Sequence, residues 1–285
     1  MIIPHYNDLA RLDRCLAMLV QQTYPAHLVT IIVADNQSPQ GTDAVERVIA
    51  GRARLVIANE RGAGPARNSG VANSDTDLLA FIDADCVPEP QWLASGLAGL
   101  DDHDFCGGPV HVLVEDPDPW SPAQAFEAVF AFDNAAYVRD KGFTVTANLF
   151  TRRDVFDVVG AFANGLSEDL DWCHRARDKG FRLGFVPAAA IGHPARKNWG
   201  ELSRKWLRIQ AETYALNPPT LANKLRWLAR SWAMPLSIIR HAPRIWSHPQ
   251  MTTGARRRTA LLGLIQLRLW RWRDGHRLVF GLPRG

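Results

Sequence analysis

The sequence predicts an α/β fold: a mostly parallel sheet flanked by helices, followed by a C-terminal helical extension. Three observations carry this. Short apolar runs alternate with segments of helical period through most of the first 195 residues, as in a parallel sheet joined by crossover helices. Two of those runs, VTIIVA (29–34) and LLAFI (78–82), are apolar except for Thr30, as strands buried on both faces are. Beyond residue 195 acidic residues nearly vanish, and arginine, leucine and tryptophan dominate.

Each element follows in order. Ile2-Ile3 opens a short strand ended by Pro4. Leu9 to Gln22 is helical, with Leu9, Leu12, Leu16, Leu19 and Val20 on one stripe. VTIIVA is the second strand, Asp43 to Ile49 a helix, Arg54 to Ala58 a strand and Pro65 to Ala72 a helix. LLAFI follows, and ends in Asp83-Ala84-Asp85. Phe105 to Val114 is β-rich with a break at Gly107-Gly108-Pro109. Pro117 to Pro122 is a proline-rich connection, Ala123 to Tyr137 a helix and Val145 to Phe150 a strand. Ser167 suits an N-cap for a helix running to about Lys179, stopped by Gly180. Phe181 to Pro187 is the last strand. Two domains are expected: residues 1–198, and a basic, tryptophan-rich helical extension over 199–285.

Composition narrows the function classes. Apolar residues make up 47% of the 285 and charged residues 22%, values of a folded globular chain. Cys15, Cys86, Cys106 and Cys173 are scattered and form no CxxC pair, which argues against a disulfide framework or a zinc site and for a reducing cytoplasm. Met1-Ile2-Ile3-Pro4 lacks the basic segment and long apolar run of a secretory signal. The net charge of +4 conceals an asymmetry: residues 196–285 carry 18 Lys+Arg against 3 Asp+Glu, while residues 1–195 sum to −11. Seven of ten tryptophans lie after residue 195. Such a distribution points to an anionic partner for the tail.

In an open parallel sheet, ligands bind beyond the carboxyl ends of the strands. Asp35 follows VTIIVA, and Asp83 and Asp85 follow LLAFI. An Asp-x-Asp pair there can hold a hard divalent cation through oxygen, which neutralises a departing diphosphate. Turn-forming and helix-capping aspartates share this pattern.

Read together, five ordered blocks go further: IIPHYN (2–7), IVADNQS (32–38), GPARNSG (64–70), FIDAD (81–85) and GLSEDLDW (165–172). In order and approximate spacing the chain resembles family 2 glycosyltransferases, over roughly residues 1–195. The resemblance implies a GT-A fold and an inverting transfer of sugar from a nucleotide-diphosphate sugar to an acceptor hydroxyl. It implies that Pro4 borders the donor and that Asp35 accepts a hydrogen bond from the nucleotide base. Arg67 would lie near the base or phosphates and Asp83 at the ribose, with Asp85 binding Mn²⁺ or Mg²⁺ together with the diphosphate. Asp169 would be the general base, with Glu168 beside it at the substrate. Crowding of Glu168, Asp169 and Asp171 disfavours full ionisation, as a base working near neutral pH requires; acids in a first helical turn also complement the helix dipole.

Other features have two readings. His193, after the last predicted strand, either completes the metal site or is a loop histidine. Trp172 either stacks on substrate or packs on a helix face. Gly62-Ala63-Gly64-Pro65-Ala66-Arg67 is no dinucleotide fingerprint, because Arg fills the last position and Pro interrupts it. The tail suits helices lying in an anionic membrane interface, or helices packed on the body with solvated arginines; no nucleic-acid module is present. The expected setting is cytoplasmic and peripheral at the inner face of the cell membrane, with a glycan or lipid-linked acceptor in polysaccharide or glycolipid assembly. Two other functions compete: a nucleotidyltransferase, which would need a Gly-rich basic loop where His5-Tyr6-Asn7-Asp8 stands, and a non-catalytic membrane-associated nucleotide-sugar binder.

Overall fold

The structure, a computed structural model, describes residues 1–164, 167–215 and 217–283. The chain runs β1 (Ile2–His5), α1 (Leu9–Leu19), β2 (Ile32–Asp35), α2 (Thr42–Ile49), β3 (Arg54–Ile57), α3 (Ala63–Ala72), β4 (Leu78–Ile82), β5 (Val87–Pro88), α4 (Trp92–Ala98), β6 (Phe105–Gly107) and β7 (Val110–Leu113). It continues with α5 (Pro122–Phe130), α6 (Asn134–Ala136), a π-turn (Tyr137–Lys141), β8 (Asn148–Arg152), α7 (Arg153–Val159), α8 (Glu168–Asp178), β9 (Leu183–Phe185) and β10 (Ile191–Pro194). Four helices close it: α9 (Trp199–Ala215), α10 (Leu221–His241), α11 (Pro243–Ser247) and α12 (Gly254–Phe280). The chain divides into two compact units, residues 1–111 with 133–193, and residues 112–132 with 194–285.

In the first unit the main sheet has the order β3-β2-β1-β4-β8-β6-β9. β3, β2, β1 and β4 are mutually parallel, β8 runs antiparallel to β4 and β6, and β9 is parallel to β6. The mostly parallel sheet read from the sequence is therefore present. β2 is buried at all four positions and β4 at four of five, whereas β3, at the edge, is part-exposed. A smaller sheet has the order β5-β10-β7. The core between sheet and helices is aromatic: Phe81 meets Phe162 edge-on at 5.2 Å and Phe105 meets Trp172 edge-on at 5.5 Å.

Local chemistry explains the boundaries. Asp8 caps α1 by accepting from Arg11 N–H, and Leu12, Cys15, Leu16 and Leu19 are buried. The helix stops there, so Val20, read as part of the stripe, is exposed. Ser121 and Gln124 form a reciprocal capping box at α5, with Pro122 in the first turn. The helix expected over 123–137 breaks after Phe130, where Asp133 caps a new start at α6. Gly180 takes φ +91° after α8, and the Phe181 N–H returns to the Ala176 carbonyl at 3.1 Å, an ending that only glycine reaches without strain.

The second unit is helical. Ala123, Phe126, Leu202, Ile245, Ala260, Leu264 and Leu267 form its core. Gly263 of α12 lies where a Cβ would sit 2.1 Å from the Pro122 carbonyl oxygen, so only glycine permits that approach. Glu127 is buried and ion-paired to Arg196 at 2.8 Å and Lys205 at 3.2 Å. The expected boundary at 198/199 thus differs from the observed division. The proline-rich connection and α5 pack with the C-terminal helices, because α5 carries the apolar face that covers α12.

Candidate active site

The carboxyl ends of β1, β2 and β4 open on one edge of the parallel sheet. The register sets His5 opposite Asp35 and Ile2 opposite Phe81, so His5, Asp35 and the Asp83–Asp85 turn emerge together. Pro4 lies in β1 opposite Ala34. Asp35 is only 2% exposed. Its carboxylate accepts from His5 Nδ1 (2.8 Å), Ser38 Oγ (2.6 Å) and Ser38 N–H (2.9 Å). His5 Nε2 in turn accepts from Asp8 N–H at 3.3 Å, which assigns the imidazole proton to Nδ1. Asp35 is therefore held rigidly, with much of its acceptor capacity used by its own chain. Sequence reasoning passed over His5 and Ser38; no local pattern signals a contact 30 residues away across two strands.

Arg67 is brought in by α3, whose Gly62-Ala63-Gly64-Pro65 start lets the helix approach closely. The residue is 2% exposed. Nη2 donates to Asp83 Oδ1 at 2.5 Å and Nη1 to Glu168 Oε1 at 2.9 Å, while Nε is buried and unpartnered. Burial alone would lower the pKa of Arg67; the charges of Asp83 and Glu168 outweigh it and raise it. One buried cation thus ties the β4 turn to the start of α8, with Arg67 and Glu168 101 residues apart in the chain.

Asp169 follows Glu168 in the first turn of α8. Its carboxyl is pushed up to about 6, first by burial and then by the charge of Glu168. The Leu170 N–H (2.8 Å) and Arg67 act in the opposite direction. Ser167 stands at the N-cap without a side-chain capping bond. Gly165 and Leu166 of the GLSEDLDW block lie outside the described residues. Tyr137, from the π-turn, is raised in pKa by burial, with Asp169 contributing.

Asp85 faces His193, with Oδ2 and Nε2 3.7 Å apart. The pairing of Gly192 with Val87 between β10 and β5 creates this contact. Among the described residues no three His, Cys, Asp or Glu side chains converge as a metal cage. A carboxylate and an imidazole nevertheless suit a cation that takes its other ligands from phosphate and water. The neighbouring Cys15 and Cys86 thiols are buried and pushed well above their ordinary pKa, chiefly by desolvation and further by Asp85 and Asp83. They stay protonated and offer no thiolate ligand. All four cysteines are free.

Trp172 requires a correction. The sequence made it a candidate for stacking on substrate, but the residue is fully buried. Its Nε1 donates to the Gly160 carbonyl at 2.9 Å, and its ring packs on Phe105, Phe156 and Phe162. It lies on the core face of α8, while Glu168 and Asp169 remain part-exposed. A separate concavity of about 520 Å³ is lined by Lys141, His174, Arg177 and Phe181 near the C-terminal end of α8, and contains none of the predicted site residues.

Residues 1–170 match the family model described as glycosyl transferase family 2. The chain belongs to this family. It is 33% identical over 216 residues to glycosyltransferase AglE of Haloferax volcanii, covering 73% of this chain and 70% of that protein. It is 27% identical over 231 residues to the pre-mycofactocin glycosyltransferase of Mycobacterium tuberculosis, covering 74% of this chain and 44% of that one. Among solved structures, the mannosyltransferase PcManGT from Pyrobaculum calidifontis, in complex with GDP-Man and Mn²⁺, superposes with a TM-score of 0.56 at 18% identity, over 94% of this chain and 86% of its own. S. aureus TarS 1–349 with UDP-GlcNAc gives 0.55 at 16%, over 96% and 91%. These likenesses establish the GT-A fold. This family 2 member is accordingly a glycosyltransferase, and its strand-end acids, Arg67 and the α8 acids occupy one edge of that fold.

Proposed function

We propose that this glycosyltransferase moves a sugar from a nucleoside-diphosphate sugar to an acceptor hydroxyl with inversion at the anomeric carbon. The observation that carries the reading is the raised carboxyl of Asp169, tied through Glu168 and Arg67 to the Asp83–Asp85 turn. The Asp169 carboxylate takes the proton of the acceptor hydroxyl as that oxygen attacks the anomeric carbon. The bond from that carbon to the donor phosphate oxygen breaks on the opposite face, and the nucleoside diphosphate leaves. Asp83, held by Arg67 beside the phosphates, orients the ribose, and Asp35, held by His5 and Ser38, offers a fixed acceptor to the base. Asp85 and His193 would hold Mn²⁺ or Mg²⁺; such an ion supplies charge neutralisation to the leaving diphosphate.

The acceptor is a glycan or a lipid-linked sugar, in polysaccharide or glycolipid assembly. The charge of residues 196–285 supports contact with an anionic membrane surface at its cytoplasmic face. No described helix is long and apolar enough to cross a membrane. The test is a screen of nucleotide sugars with Mn²⁺, reading binding and hydrolysis, repeated with Asp85→Ala. Metal-dependent donor binding that Asp85→Ala weakens is the expected result. Donor binding indifferent to both metal and Asp85 would overturn the site assignment.

A further inference from the structure

The C-terminal helices expose an apolar stripe, whose Trp232 also packs edge-on against Trp272 and His276 of α12. On α10, Leu221, Leu225, Trp232, Leu236 and Ile239 are exposed, with Leu221 at 73%, Leu236 at 71% and Ile239 at 79%. At about 100° per residue these five fall within about 60° of one another around the helix, so they form one stripe along its length, with Pro235 inside the helix between Trp232 and Leu236. The face turned to the unit's interior is different: Trp227 and Ser231 are buried there, and a Cβ on Gly275 of α12 would sit 2.1 Å from Ser231 Oγ. Arg240 and Arg226, both exposed, lie about 40° and about 80° round the helix from the edge of the stripe.

A solvated helix has no use for such a stripe, and single exposed apolar residues would not line up. Exposed leucine, isoleucine and tryptophan beside arginines match a helix that lies in the plane of a membrane interface. The local charge of +15 over residues 196–285 selects an anionic surface. We infer that the α10 stripe is a lipid-docking face that seats this unit on an anionic bilayer. This rests on the membrane reading above and names the face that serves it. α12, richer in arginine, buries Ala260, Leu264 and Leu267 within the unit and exposes Leu262, Leu269 and Phe280; α10 carries the longer stripe, five residues against three, and is the face assigned here.

The test is co-sedimentation of the full chain with phosphatidylcholine vesicles, with and without phosphatidylserine, alongside light scattering to give the oligomeric state. The variants are Leu236→Ser with Ile239→Ser, and Val158→Ser, an exposed apolar site on α7 of the first unit, as control. The wild type and the control should bind vesicles containing phosphatidylserine and leave neutral ones. The double variant should lose about ten-fold or more of that binding, because two of the five apolar anchors are removed, and should keep its circular dichroism. If wild type binds and the double variant binds equally, the α10 assignment fails while the membrane reading stands. If wild type binds no vesicles, both fail. A wild-type dimer that the double variant converts to monomer would assign the stripe to a second copy of the chain and overturn the lipid reading.

Discussion

Replacing Asp169 with Asn tests the proposed base and the physics that tunes it together. The change keeps size and retains an oxygen to accept the Leu170 N–H bond now at 2.8 Å. It removes a carboxylate that titrates near 6 instead of the ordinary 3.8. Such a group costs about 3 kcal/mol more to ionise in the folded chain than in the unfolded one. The sign follows from proton binding. Between pH 4 and 6 the folded chain holds a proton that the unfolded chain has released, so wild-type stability falls as pH rises through this window. Asp169→Asn escapes that penalty: thermal unfolding at pH 8 should show it stabilised by up to ~3 kcal/mol, with the gain shrinking as pH falls from 6 towards 4. Transfer should drop by about 10²–10⁴-fold, the usual worth of general-base catalysis. In the wild type, kcat/KM should rise with pH and reach half its plateau near pH 6. A variant within ten-fold of wild-type transfer would remove Asp169 from the chemistry. One less stable than wild type at pH 8 would refute the account of its pKa.

Other outcomes follow from the same geometry. Arg67→Gln should lose ~3 kcal/mol of folding stability, because it strands the Asp83 and Glu168 carboxylates, and should move the acid limb of the activity profile above 6, since Arg67 favours ionised Asp169. Denaturant titration and a pH–rate series read these two effects. His193→Ala should weaken Mn²⁺ binding by about ten-fold or more in calorimetry with a nucleoside diphosphate present; unchanged affinity would take His193 out of the ligand set. Gly96→Ala should cost about 1–3 kcal/mol in unfolding experiments, because its Cβ would sit 2.1 Å from the Phe150 ring.

How much of this the sequence showed depends on the range of the interaction. Apolar runs reveal parallel strands because burial on both faces leaves no polar position, and so Asp35, Asp83 and Asp85 were legible at strand ends. The pairing of β5 with β10, which sets His193 against Asp85, was not: β5 is two residues long, too short for a period. Trp172 was misread because α8 presents acids and a core aromatic within four residues, and only packing decides which face turns inward. The grouping of residues 112–132 with the C-terminal helices was likewise hidden, because the apolar face of α5 does not say what covers it.

The charges of the site also argue for where a cation belongs. Asp83, Glu168 and Asp169 interact with the buried Arg67 guanidinium, Asp85 follows two residues after Asp83, and Arg67 spends two ion pairs on Asp83 and Glu168. Little of its charge is left for an incoming diphosphate. Two like charges 4 Å apart repel by about 4 kcal/mol at an effective dielectric of 20, so a diphosphate entering beside these acids needs a compensating cation. Asp83 has one oxygen committed to Arg67, whereas among the described residues the Asp85 carboxylate meets weaker partners, the Cys86 thiol at 3.8 Å and His193 at 3.7 Å. The carboxylate with the weaker partners is the one able to exchange them for a metal ion. This favours Asp85 over Asp83 as the ligand on grounds independent of the family resemblance. It also predicts an asymmetry between the two aspartates: Asp85→Asn should lower metal affinity and leave folding intact, while Asp83→Asn should release Arg67 and register first as lost stability.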